Sequence, residues 1–125
     1  MTRRRVLLAD DHQGFIAAIG RLLSEHDYEV VGSVEDGDRL LEEATRLQPD
    51  VIVLDLSMPH MSGVNACREL TRLVPRTRIV VLSAENDADV RQVVLAAGAS
   101  AFVDKQMVGT HLLPAVRAAC SRQQM

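Results

Sequence analysis

Side chains that can do chemistry follow directly after several short apolar runs of the chain. They are carboxylates, one hydroxyl and one ammonium group: Asp10, Asp11, Asp55, Ser83, Asp104 and Lys105. Each alone has an ordinary structural explanation, since Asp and Ser cap helices or make turns and Lys is commonly a solvated charge. That explanation weakens if the apolar runs are parallel strands, because their carboxyl ends then meet at one edge of a sheet.

The carboxylates of Asp10, Asp11 and Asp55 would need positive charge at such an edge. Two like charges about 4 Å apart repel by about 4 kcal/mol at an effective dielectric near 20. Lys105 offsets one of the three, and a divalent cation is expected to offset the others. Because the available ligands are oxygens, Mg²⁺ is favoured. His12 lies nearby in sequence, but without a Cys or a spaced His pair a loop role is favoured over zinc binding.

Such a site suits phosphoryl transfer, in which a cation and a lysine neutralise charge on the phosphoryl oxygens and a hydroxyl adds a hydrogen bond. Asp55 is the best nucleophile candidate because it stands alone after its run, and carboxylate nucleophiles form aspartyl phosphates. Asp10 and Asp11 are better placed to hold the cation. We expect the three carboxylates to lie close together and Asp55 to be open to solvent.

Five apolar runs predict the strands that would position these groups. The runs are residues 6–9, 30–34, 51–54, 79–82 and 101–103. Three are unbroken β-branched or leucine runs, as expected for strands covered on both faces. The pattern predicts a parallel sheet.

Between the runs, apolar residues recur at helical spacing and predict five helices. Gly98 stands where the fourth helix must end, and Pro49 follows the end of the second. Strict alternation of strand and helix gives right-handed crossovers and an α/β three-layer sandwich. Five strands suit the flavodoxin-like order 2-1-3-4-5.

The composition bounds the class of protein. With 125 residues and 47% hydrophobic residues, the chain suits one globular domain. We expect residues 1–125 to form this domain, with a core over about 5–119 and a polar tail at 121–125. The formal charge of −3 argues against direct nucleic-acid binding, and no apolar stretch approaches the roughly 18 residues of a membrane span. Cys67 and Cys120 are expected as free, buried thiols in a reduced cytoplasm.

Four blocks of the chain resemble the signatures of bacterial response-regulator receiver domains, the CheY-like phosphoacceptors of two-component systems. The blocks are VLLADDH at 6–12, DLSMP at 55–59, SA at 83–84 and FVDK at 102–105. They stand in the family's order, and the resemblance spans roughly residues 5–119. The segments 30–32, 97–99 and 105–106 resemble the NarL/FixJ-type subfamily, whose members usually carry a DNA-binding helix-turn-helix after the receiver.

The resemblance implies a phosphoacceptor and its metal ligands. Asp55 would accept phosphate from the phosphohistidine of a sensor histidine kinase or a histidine phosphotransfer protein. Asp11 would bind Mg²⁺ directly and Asp10 through water. The backbone carbonyl of Ser57 would complete the protein's share of the coordination.

The resemblance also implies a switch. Ser83 and Lys105 would contact the phosphoryl group, and Phe102 would be the switch aromatic, although a plain core role for Phe102 fits the pattern equally. The only catalysis would be self-phosphorylation and autodephosphorylation at Asp55. The output would be transcription regulation through a C-terminal DNA-binding domain absent from these residues; a homodimer is left open, and no membrane partner is expected.

Three departures from the family pattern carry expectations of their own. Gln106 stands where many receivers have proline with a cis bond, so a trans or strained bond is expected before it. Pro114 falls inside the last helical pattern, and Thr110 is therefore expected to cap a helix with a late start. Glu85 flanks the site and is expected to affect the lifetime of the phosphate.

Three other classes of protein share parts of this pattern. An aspartyl-nucleophile phosphatase would need a second acid two residues after the first, where this chain has Ser57. A flavin or nucleotide binder would need a glycine-rich phosphate loop after the first strand, which is absent. A receiver-like interaction module that is never phosphorylated is the alternative that stays open.

Overall fold

The computed structural model describes residues 3–84 and 88–122. Its strands are β1 Arg4–Ala9, β2 Tyr28–Val34, β3 Val51–Asp55, β4 Arg78–Ser83 and β5 Ala101–Asp104. Its helices are α1 Gln13–Ser24, α2 Gly37–Leu47, α3 Gly63–Leu73, α4 Ala88–Ala96 and α5 Val108–Arg122, with a 3-10 turn over Lys105–Met107. The five predicted strands and five predicted helices are confirmed.

The strands form one parallel sheet in the order β2-β1-β3-β4-β5, which confirms the predicted topology. Ala9 pairs with Leu54 where β1 and β3 lie side by side. The connections after these two strands leave toward opposite faces of the sheet, so a crevice opens at their carboxyl ends. Residues that directly follow β1 and β3 must therefore meet.

Hydrophobic residues on the two faces of the sheet make two separate cores. Because alternate strand residues point to opposite faces, Leu7 and Ile52 pack with α2, α3 and α4, while Val6 packs with α1 and α5. Each core contains one cysteine, Cys67 in the first and Cys120 in the second. Both thiols are free and buried, as expected.

The helix ends follow local rules. Asp36 and Ser62 cap α2 and α3 at their N-termini, each accepting a hydrogen bond from the backbone N–H three residues on. Gly98 follows α4 with a φ of 121°, the left-handed region that glycine adopts without strain. Gln48, at the C-cap of α2, is also left-handed, and Pro49 comes directly after it, as predicted.

The basic residues around the start of the first strand have a structural role. The Arg3 guanidinium donates to the carbonyls of Ser24 and Tyr28, and Arg5 donates to the carbonyl of Leu47 at the end of α2. Carbonyls at helix C-termini lack partners within the helix and carry partial negative charge. These arginines therefore stabilise helix ends at the edge of the sheet opposite to the crevice.

Helix α5 begins earlier than predicted, and the expectation that Thr110 caps it is wrong. The Asp104 carboxylate accepts a hydrogen bond from the Gln106 N–H at 2.9 Å, so a capped 3-10 turn leads directly into α5. Pro114 consequently lies inside the helix and cannot donate to the Thr110 carbonyl. The bond between Lys105 and Gln106 is trans, as expected.

Helix α5 runs on to Arg122, so the first two residues of the expected tail are helical; residues 123–125 lie outside the described part of the chain. None of the described helices combines the length and the apolar character needed to cross a membrane.

Candidate functional site

The carboxyl edge of the sheet gathers the predicted side chains around the crevice. Asp10 follows β1, Asp55 ends β3, Ser83 ends β4 and Lys105 comes directly after β5. Asp10 and Asp55 are 1% and 0% exposed, because strands flank β1 and β3 on both sides. One oxygen each from Asp10, Asp11 and Asp55 lies within 4.8 Å of the others. The three carboxylates therefore lie together, as expected.

Asp55 is fully covered, and the expectation that it is open to solvent is wrong. Its Oδ1 accepts hydrogen bonds from the Ser57 backbone N–H at 3.1 Å and the Ser57 hydroxyl at 2.9 Å. Its Oδ2 accepts one from the Lys105 ammonium at 3.1 Å. The cover is made of side chains and the turn after β3, so a donor reaches Asp55 only when this cover moves.

Lys105 links the carboxylates and is the only lysine in the sequence. Its Nζ lies 3.0 Å from Asp10 Oδ2 and 3.1 Å from Asp55 Oδ2, and its side chain is 15% exposed. Burial alone would lower the pKa of Lys105, but the carboxylates of Asp10 and Asp55 outweigh it and the pKa is raised. Lys105 is therefore a charged, shared counter-ion.

Phe15 provides a third contact of the same ammonium, which sequence reasoning missed. The Nζ of Lys105 lies 4.5 Å from the centre of the Phe15 ring, within the range of a cation–π interaction. The spacing of Phe15 in α1 predicted a core residue, and it does pack against the second core. Nothing in that spacing indicates that one side of the ring faces the lysine that follows β5.

The acidic cluster fits a hard divalent cation. Asp10 Oδ2 is buried, and the contact described for it is with the Lys105 ammonium at 3.0 Å, which is shared with Asp55. A buried carboxylate with too little positive charge around it is unfavourable. Asp10, Asp11 and Asp55 also offer oxygens of the kind that Mg²⁺ binds. One ammonium against three carboxylates leaves negative charge that a cation would neutralise.

His12 lies at the rim of this cluster. Its backbone N–H donates to Asp10 Oδ1 at 2.8 Å, and its Nδ1 lies 3.2 Å from Asp10 Oδ1 and 3.1 Å from Asp11 Oδ1. Its side chain is 65% exposed. His12 occupies the N-cap position of α1, although its side chain makes no capping hydrogen bond, and its ring lies with Asp10, Asp11 and Asp55 in the group that could hold a metal ion; its loop role stays a prediction.

The remaining predicted residues stand around the carboxylates. Ser83 is buried at the end of β4 and pairs with Asp104 of β5. Phe102 is half-buried on β5 and packs against the first core. The Ser57 carbonyl as a metal ligand stays a prediction, since the described contacts involve its N–H and hydroxyl. Glu85 lies outside the described residues.

A cleft of about 650 Å³ opens beside the cluster. Its lining comes from the start of α1 and from the lysine: Asp11, His12, Gln13, Gly14, Phe15 and Lys105. The cleft reaches the side of Lys105 that carries the Phe15 ring. A donor approaching Asp55 through this cleft would meet Lys105 and Phe15 first.

Comparison with known proteins gives a consistent result. A family model described as response regulator receiver domain matches residues 6–117. Transcriptional regulatory protein DegU of Brevibacillus brevis is 37% identical over 114 residues, which are 90% of this chain and 48% of DegU. Transcriptional regulatory protein LiaR of Bacillus subtilis is 35% identical over 116 residues, which are 92% of this chain and 55% of LiaR. The chain thus spans about half the length of these relatives.

A solved structure agrees over the whole fold. The signal receiver domain of the response regulator NarL from Mycobacterium tuberculosis has a TM-score of 0.90 and 30% sequence identity, covering 97% of this chain and 98% of that one. The chain belongs to the response regulator receiver domains of bacterial two-component systems and, within them, to the NarL/FixJ type.

Proposed function

We propose that this receiver takes a phosphoryl group on Asp55 and thereby switches the output of a longer regulator. The observation that carries the proposal is the meeting of Asp55 with two further carboxylates and one lysine at the crevice. No other cluster of these groups is present in the described part of the chain. The arrangement holds a nucleophile, a cation site and a fixed positive charge within one group of contacts.

The proposed reaction is a displacement at phosphorus. A carboxylate oxygen of Asp55 attacks the phosphorus of a phosphohistidine, the P–N bond breaks with its electron pair going to the imidazole, and a P–O bond to Asp55 forms. The signal ends by hydrolysis, in which the oxygen of a water molecule attacks the same phosphorus. The P–O bond to Asp55 then breaks, releasing inorganic phosphate and the free carboxylate.

The chain's own groups have distinct parts in this proposal. Lys105 leaves the Asp55 oxygen and pairs with an incoming phosphoryl oxygen, so its charge stays within the site as negative charge develops there. The Ser57 N–H and hydroxyl hold the other Asp55 oxygen and orient the carboxylate. Ser83 donates to the phosphoryl group, and Phe102 changes its packing when Ser83 moves.

Asp10, Asp11 and Asp55, with the Ser57 carbonyl, would hold Mg²⁺. The bound metal would neutralise charge on the phosphoryl oxygens. The burial of Asp10 and Asp55, which share a single ammonium, supports this assignment.

The wider setting is part of the proposal. The donor would be a sensor histidine kinase or a histidine phosphotransfer protein in the cytoplasm. Residues 1–125 would form a single receiver unit, and phosphorylation would shift an equilibrium between two states of its surface. Transcription regulation would follow through a DNA-binding domain outside these residues, in line with the regulatory relatives that are about twice as long. The change of surface on phosphorylation could take the form of homodimer formation.

A second candidate function is an interaction module that is not phosphorylated. The full burial of Asp55 favours it, because a covered carboxylate is a poor nucleophile until its cover moves. The two candidates differ in one measurable respect, the capacity to form a covalent phosphoryl adduct.

The deciding experiment is incubation with acetyl phosphate and Mg²⁺, followed by intact mass measurement. A single phosphoryl adduct is expected in the wild type, absent with a chelator and absent in Asp55→Asn. Asp38→Asn, at an exposed residue of α2, is the matched control and should form the adduct at the wild-type rate. Adduct formation by Asp55→Asn at that rate would move the nucleophile elsewhere, and no adduct in the wild type would favour the interaction module.

A further inference from the structure

We infer that Phe15 is a positioning residue for Lys105, whose ring keeps the ammonium in the site once the carboxylates have other partners. This inference rests on the proposed phosphorylation of Asp55. It concerns a residue of α1 that the sequence pattern assigns to the core alone.

The described contacts of the Lys105 ammonium are of two kinds. Two are ion pairs, to Asp10 at 3.0 Å and Asp55 at 3.1 Å. The third is the face of the Phe15 ring, 4.5 Å from Nζ to the ring centre. The carboxylates are nearly fully buried and hold the ammonium in the resting state.

The two ion pairs of Lys105 weaken when the site holds a metal ion or a phosphoryl group. A cation on Asp10 repels the ammonium, and a phosphoryl group on Asp55 takes the oxygen that Lys105 now contacts. Neither event removes the Phe15 ring as a partner of the ammonium. The ring face attracts the ammonium and does not itself bind phosphate or a hard metal ion. The ring therefore limits how far the only lysine of the chain can move into the cleft.

A freely moving lysine would be a weaker catalyst than a held one. Charge is most effective in phosphoryl transfer when it is already aimed at the place where negative charge develops. Loss of the ring should therefore slow phosphorylation, with the folded structure intact. The expected size is about 3- to 10-fold, from the usual strength of a partly buried cation–π contact.

The test compares substitutions at one position. Phe15→Leu keeps an apolar side chain but loses the ring face, while Phe15→Tyr keeps the ring. Phosphorylation by acetyl phosphate is expected to be about 3- to 10-fold slower in Phe15→Leu and near the wild-type rate in Phe15→Tyr. Ile16→Val, at the next residue of α1 and packed on the same core, controls for a general loosening of the helix.

A double-mutant cycle separates this role from packing. In a Lys105→Met background the ring has no ammonium to hold, so adding Phe15→Leu should leave the residual rate unchanged. A role in packing alone would slow both backgrounds equally. Circular dichroism and thermal unfolding of each variant check that the fold is retained.

A spectroscopic measurement gives a readout that does not depend on activity. Because the chain has one lysine, a sample labelled in lysine gives a single set of side-chain NMR signals. Protons above an aromatic face are shielded, so the Lys105 ε protons are expected upfield in the wild type and Phe15→Tyr. They should move downfield in Phe15→Leu, before and after addition of Mg²⁺ and beryllofluoride.

The outcomes are distinguishable. A wild type that takes no phosphate overturns the proposed function and this inference with it. A phosphorylated wild type with Phe15→Leu at the same rate and with unmoved lysine signals overturns the inference alone. Equal slowing in Phe15→Leu and Phe15→Tyr would also overturn it, because the ring is kept in one of them.

Discussion

Replacement of Lys105 by methionine should destabilise the metal-free protein strongly. Methionine matches the length and apolar stem of lysine but removes the charge. In the wild type the ammonium lies 3.0 Å from Asp10 and 3.1 Å from Asp55. Those two carboxylates are 2% and 0% exposed, so water replaces little of the lost interaction.

The magnitude follows from the distances. At an effective dielectric near 20, each of the two attractions amounts to about 5 kcal/mol, and two carboxylate oxygens up to 4.8 Å apart repel by at least about 3 kcal/mol. Desolvation of the lysine offsets part of the attraction in the wild type. Breaking a buried ion pair by removing one partner typically costs 3–5 kcal/mol. We therefore expect the free energy of unfolding at pH 7 to fall by about 3–5 kcal/mol.

The assay is urea unfolding in a chelating buffer and again with Mg²⁺. Mg²⁺ should restore more stability in Lys105→Met than in the wild type, because it no longer competes with the ammonium for the carboxylates. Each tenfold gain in the affinity for Mg²⁺ adds about 1.4 kcal/mol to the free energy of unfolding at saturating metal. Arg46→Met, which removes an exposed ion pair with Glu43, is the control and should change stability by less than about 1 kcal/mol. A loss in Lys105→Met as small as in that control would refute the reasoning.

Two further predictions concern the core and a helix end. Burial raises the pKa of the Cys67 thiol to about 11. Its contribution to stability is therefore full below about pH 9, where the unfolded thiol ionises, and is lost as the pH rises to 11. In urea unfolding the wild type should lose about 2 kcal/mol more than Cys67→Val over that pH range, and equal losses in the two proteins would contradict this. Gly98→Ala forces alanine into a φ of 121° and brings its Cβ against Thr71 Oγ1, so thermal unfolding should show a loss of about 1–3 kcal/mol. Thr71→Ala should relieve part of that loss, and an unchanged melting temperature in Gly98→Ala would count against the strain.

The fold could be predicted from the sequence because its signals are local and repeated. A run such as Val51 to Leu54 is apolar at every position, which in a chain of this length indicates a strand covered on both faces. Asp104 has a role that the strand pattern does not predict. The pattern predicts that it converges on the site with the other strand-end residues, but its carboxylate caps the turn before α5. Because of this cap, α5 starts ahead of Thr110.

The site could be predicted only as far as the backbone determines it. Strand order alone brings Asp10 and Asp55 to the same edge. The directions of long side chains are set by packing that no spacing reveals: Lys105 has four rotatable bonds and folds over Asp55, closing a carboxylate that was expected to be open. The contact of the Phe15 ring cannot be predicted from the sequence for the same reason, because it depends on where the Lys105 ammonium lies.

Rest and reactivity in this site depend on the same two ion pairs. Three carboxylates stay together without a metal because one ammonium pairs with two of them, and that pairing also covers the nucleophile. Binding of a metal ion to Asp10 or of a phosphoryl group to Asp55 must therefore release Lys105. The released ammonium can neutralise charge on the phosphoryl oxygens only if it stays close to them. The aromatic ring of Phe15 gives it a contact that does not compete with phosphate or metal. A chain with leucine at that position would keep the resting ion pairs and lose the restraint, so its stability without metal should change little while its phosphorylation slows.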